Sequence, residues 1–78
     1  MEKALTEQNL FREQVQIERK TFSLDLKENA RGRFLKITED VGGRRDTVII
    51  PATGLGQIRD IIDKAVKMCA DMGGPASK

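Results

Sequence analysis

Thr21-Phe22-Ser23-Leu24-Asp25-Leu26-Lys27-Glu28-Asn29-Ala30-Arg31-Gly32-Arg33-Phe34-Leu35-Lys36-Ile37 decides how this chain folds. From Thr21 to Lys27 the residues alternate strictly, with Phe22, Leu24 and Leu26 on one side and polar groups on the other. That is the period of a strand with one buried face. A turn at Gly32 leads into a second strand whose natural core pair is Leu35 and Ile37. Parity then puts Phe34 on the polar face, beside Lys36 and Thr38. A solvated hairpin does not need an aromatic ring there. Three things account for one: chance exposure, burial against another chain, or stacking on the bases of a nucleic acid.

Working outward, Leu10 to Ile17 reads as the first strand, with Phe11, Glu13, Val15 and Ile17 sharing a parity. Helix competes for residues 1–14, where Glu, Gln, Ala, Leu and Lys favour it. The second strand spans about Lys20 to Lys27 and the third about Phe34 to Glu39. Asp40 to Asp46 reads as a turn built on Gly42-Gly43. The fourth strand, Thr47-Val48-Ile49-Ile50, does not alternate, as expected of a strand covered on both faces. Pro51 ends it, and Thr53 is the candidate N-cap of a helix. Leu55, Ile58, Ile61, Ile62, Ala65, Met68, Cys69 and Met72 fall on one helical stripe. Gly73-Gly74-Pro75 supplies the stop. The expected organisation is a loosely ordered segment at 1–9, one domain at 10–74 and a tail at 75–78, without internal repeats.

The chain has 78 residues, close to the size at which burial alone leaves little margin. Cys69 is its one cysteine and histidine is absent, which excludes a disulfide framework and argues against a zinc site or any other cofactor. Nothing resembles a secretory signal, and no apolar run approaches the ~20 residues that cross a bilayer. These features predict an intracellular protein without a membrane partner. Net charge is only +2, but residues 19–36 carry net +4, so the positive charge gathers in the hairpin as phosphate binding requires. Asp25 and Glu28 point to opposite sides of a strand and make no catalytic pair, and no phosphate loop is present. The expected protein is not an enzyme and takes no small-molecule substrate. Four strands and one helix leave two sheet edges open and an apolar face only partly covered, which predicts an intertwined homodimer.

Phe22 through Ile37, continuing in Thr47-Val48-Ile49-Ile50-Pro51-Ala52, Gly54-Leu55 and Ile58-Arg59-Asp60, closely resembles the PUR repeat of the Pur-alpha family of purine-rich element binding proteins. The likeness covers roughly residues 10–72. It implies an α+β repeat of ββββα topology with a Whirly-like fold, completed when two repeats intertwine. It also implies binding of purine-rich single-stranded DNA or RNA containing guanine pairs, local strand separation in some members, transcription regulation, and a location in the nucleus, the cytoplasm or both in a eukaryote. Family members from animals and plants carry several repeats, whereas this chain carries one. Either two copies associate or the chain is a piece of a longer protein.

The resemblance places the base-intercalating aromatic on Phe34. It places basic and amide contacts on Lys27, Asn29 and Arg31, a basic second hairpin on Arg44 and Arg45, and a first-hairpin contact on Arg19 and Lys20. Lys36 joins them by its shared face with Phe34. Each has a plainer alternative. Asn29 in a turn often bonds its own backbone, Arg33 is free to close the turn on a carboxylate, and any one of the cations is expected on a solvated hairpin. Cys69, flanked by Met68 and Met72, reads as a small buried hydrophobe. The competing function is a dimerisation or protein-docking module with a merely solvated basic hairpin.

Overall fold

The computed structural model describes residues 7–73. The chain forms β1 (Gln8–Ile17), β2 (Lys20–Asn29), β3 (Gly32–Val41) and β4 (Arg44–Pro51), then a 3-10 turn (Ala52–Gly54) and α1 (Leu55–Asp71). The strands make one antiparallel sheet in the order β1-β2-β3-β4, so β1 and β4 are its edges. This is the α+β, ββββα order expected from the sequence.

Every strand is longer than its alternating core. β1 begins at Gln8, not Leu10, because pairing with β2 outweighs the local helical preference. Gln8 and Asn9 therefore belong to the ladder; residues 1–6 and the expected tail lie outside the described residues, as does Gly74. Leu10 is skipped between the pairs Asn9–Lys27 and Phe11–Leu26. This bulge turns Asn9 onto the polar face while Phe11 stays on the apolar one. The second hairpin is also tighter than expected. Gly42 and Gly43 both have positive φ, 61° and 91°, the backbone of a two-residue hairpin turn, so Asp40 and Arg45 pair across it.

Leu24 faces Ile37 and Leu26 faces Leu35, and Val48 and Ile50 extend the same apolar face onto β4. Leu55, Ile58 and Ile62 of α1 line a shallow cleft with Leu35 on this face. The helix's expected Thr53 cap is not used. Thr53 sits inside the 3-10 turn, Gly54 takes the N-cap position without a side-chain bond, and Leu55 N–H bonds Ala52 O. At the other end Gly73, with φ 69°, closes the helix by bonding Ala70 O at 3.1 Å.

Among the described residues of a single chain no apolar side chain is buried. The buried ones are Ser23 and Asp25, at 7% and 6% exposure, both on the polar face. The helix stripe continues past the sheet with Ile61 61% and Met72 74% exposed, and Cys69, expected in a core, is exposed as well. β4, expected to be covered on both faces, is open on both, through Val48 and Ile49. The radius of gyration is 15.6 Å, against about 11–12 Å for a compact chain of this length.

Candidate functional site

The β2–β3 hairpin sets the site. Asn29 and Gly32 are its last paired residues, and Ala30 and Arg31 form the turn. Asn29 Oδ1 accepts from Arg31 N–H at 2.8 Å, fixing the turn and giving the amide its plainer role. Lys27 lies opposite Phe34 and Asp25 opposite Lys36; on the far side Phe34 meets Pro51 and Lys36 meets Ile49. The half-buried ring of Phe34, with Ile49 and Pro51, thus makes an apolar shelf on an otherwise polar face. Asn29, Arg31 and Glu7 rim the shallow cleft above it, of about 460 Å³.

Next to this shelf the same face curls into a polar groove of about 360 Å³ lined by all four strands. Arg12, Lys27, Lys36 and Arg45 supply positive charge there, against Asp25 and Asp40. Several of these groups already have partners. Lys27 Nζ stands 3.6 Å from Glu7, Arg45 Nε donates to Asp40 Oδ2 at 3.1 Å, and Arg12 Nε lies 3.5 Å from Asp25 Oδ1. The Arg45–Asp40 pair lies at the surface and exchanges readily for a phosphate, whereas the carboxylate that faces Arg12 is buried. The Arg45 hydrogen bond, then that from Gly43 N–H, holds the Asp40 carboxyl below its ordinary value of 3.8. Among the described residues no carboxylate pairs with Lys36 or Arg31, which leaves both free to meet an anion.

The nine residues singled out from the sequence do not form one cluster. Lys27, Asn29, Arg31, Phe34 and Lys36 come together at one end of the polar face. Arg45 shares that face but lies six ladder rungs from Phe34, about 20 Å at the rise of a strand. Arg19 sits in the β1–β2 turn at the same distant end, beside Glu18 with φ 56°. Lys20 and Arg44 share the parity of the apolar face, and Lys20 Nζ is held by Glu39 at 3.0 Å. Arg33 closes the hairpin on Glu28 at 3.6 Å.

Sequence reading missed Ile49 and Arg12. Ile49 follows from its neighbour: if Ile50 faces the core, Ile49 faces Lys36 and Phe34. Arg12 becomes visible only with the β1–β2 register, which sets it opposite Asp25.

The family model described as "PurA ssDNA and RNA-binding protein" matches residues 2–77. Transcription factor Pur-alpha 1 of Arabidopsis thaliana is 45% identical over 49 residues, covering 63% of this chain and 17% of that protein. The human transcriptional activator protein Pur-alpha is 36% identical over 67 residues, 85% of this chain and 21% of its own length. The human transcriptional regulator protein Pur-beta is 34% identical, with shares of 85% and 22%. The chain thus spans about a fifth of the length of the curated relatives it matches.

Proposed function

This chain belongs to the PurA family of single-stranded DNA- and RNA-binding proteins, and on that premise we propose that it binds purine-rich single strands on the polar face of its sheet, as a homodimer. One observation carries the reading: a half-buried phenylalanine on an apolar shelf, on the same face as Lys27 and Lys36 and beside Arg31. Phe34 stacks on or wedges between bases, while the cations hold phosphates or, for arginine, the acceptor edge of guanine. A wedge of this kind also favours local separation of duplex strands through stacking alone. Contacts are few, so affinity is modest and salt-sensitive.

The homodimer is supported by what the described residues of a single chain leave open: two sheet edges, an apolar sheet face and a helix stripe without cover. A second copy offers matching surfaces for all of them, and the polar face stays outside such an interface. The test is fluorescence anisotropy with a labelled purine-rich strand at two salt concentrations, with a pyrimidine strand and Phe34→Ala alongside. Salt-sensitive binding that prefers purines and weakens without the ring supports the proposal. A folded dimer that binds no strand contradicts it.

The internal partners of Lys27, Arg45 and Asn29 favour a second reading, a docking module whose hairpin is satisfied by itself. That module would be indifferent to Phe34→Ala in its association with other proteins and would ignore nucleic acid.

A further inference from the structure

We infer that Asp25 forms the floor of a second base subsite beside the Phe34 shelf, where its carboxylate reads the donor edge of a guanine. The inference rests on the reading of the polar face as a single-strand site and adds a specificity-determining residue to it. Asp25 is 6% exposed, yet it lines the polar groove of about 360 Å³. Among the described residues its Oδ1 has no hydrogen-bond partner. Arg12 Nε stands 3.5 Å away, close enough for charge attraction but without the geometry of a hydrogen bond. A buried acceptor left open in this way is costly, and a ligand donor placed there removes the cost. Ser23, the neighbouring buried residue on β2, is already engaged, its hydroxyl accepting from Gln14 Nε2 at 3.0 Å.

The charges around Asp25 say what kind of group enters. Arg12, Lys27 and Lys36 draw an anionic chain onto the groove, while the carboxylate repels phosphate at its floor. The group that meets Asp25 is therefore a neutral donor, a base rather than a backbone oxygen. Among the bases, guanine alone presents two adjacent donors, N1–H and the N2 amino group, to a two-oxygen acceptor. Adenine and cytosine set a ring acceptor beside their amino group, and uracil and thymine flank their one N–H with carbonyls. Each of these brings a lone pair against the carboxylate. The groove has the volume of a small-ligand site. Asp25 also lies diagonally across the ladder from Phe34, about 7–8 Å away, within reach of a base neighbouring the stacked one.

Replacing guanine by inosine removes the N2 amino group but keeps O6, N7 and N1–H, so it tests Asp25 without touching an arginine reader. The experiment is anisotropy at low salt with a labelled strand of alternating adenine and guanine and its inosine counterpart. The full chain is compared with Asp25→Asn, whose folding is checked by circular dichroism. The wild-type chain is expected to bind the guanine strand about tenfold or more tightly than the inosine strand. Asp25→Asn is expected to lose that preference and to bind the two strands with equal affinity. Equal binding of both strands by the wild type overturns the inference, as does a preference that survives Asp25→Asn. If the variant does not fold, the wild-type comparison decides alone. Absence of binding to either strand overturns the functional reading together with this one, a result distinct from binding without discrimination.

Discussion

Replacing Phe34 separates its two possible uses, because alanine and leucine remove different things. In the single chain the ring packs against Pro51 and Ile49 and is half-buried. A phenylalanine buries about 150–250 Å² in full, so half of that at about 25 cal/mol/Å² gives ~2–3 kcal/mol as an upper bound for folding. Phe34→Ala loses most of this, whereas Phe34→Leu keeps most of it. Stacking on a base is worth about 1–3 kcal/mol and needs a flat ring, which neither variant has. Both are therefore expected to raise Kd for a purine-rich strand by about 5- to 150-fold. Only alanine is expected to lower the melting temperature substantially, and Phe34→Tyr restores both properties. Anisotropy and thermal melts on the same samples read the two effects. Wild-type affinity in Phe34→Leu would refute the stacking role and leave Phe34 as a packing residue.

Three further outcomes follow from the same geometry. Lys36→Gln is expected to reduce the slope of log K against log salt by about 0.7, the value for one phosphate contact on a single strand; an unchanged slope places Lys36 outside the contact. Ile62→Asp, on the helix stripe near Leu35, is expected to shift the chain to monomer in analytical ultracentrifugation, and a stable dimer would remove the apolar stripe from the interface. The Asp40 carboxyl is expected to titrate below 3.8 by NMR and to move back toward 3.8 in Arg45→Gln. Because its folded value is depressed, its stabilising contribution is present above 3.8 and lost as pH falls through the lower folded value. An Asp40 midpoint at 3.8 in the wild type would mean that the Arg45 bond does not persist in solution.

The alternation of Phe22, Leu24 and Leu26 was enough to read β2, and parity from Leu35 and Ile37 was enough to place Phe34 and Lys36 on the polar face. Both depend only on neighbours along the chain. Lys20 was open to the same reasoning, since it shares parity with Phe22, and its pairing with Glu39 on the apolar face agrees with that. What the pattern lacked was anything set by register or curvature. The bulge at Leu10 moves Asn9 between faces, and the tight Gly42-Gly43 turn converts Asp40 and Arg45 from loop residues into a cross-strand pair. The helix stripe was legible as a stripe, but periodicity does not say what covers it, so Cys69 was expected in a core that one chain does not supply. Asp25 read as an ordinary polar strand residue. Its burial arises because four strands curl together on the side where polar residues sit.

The most direct test of single-strand binding on the polar face is photocrosslinking of the full chain to a purine-rich strand carrying scattered 5-iodouracil, followed by mass spectrometric location of the adducts. The account predicts adducts on Phe34 and its surroundings in the β2–β3 hairpin, lost when unlabelled strand or high salt competes. Adducts confined to α1 or to the apolar face of the sheet would contradict it.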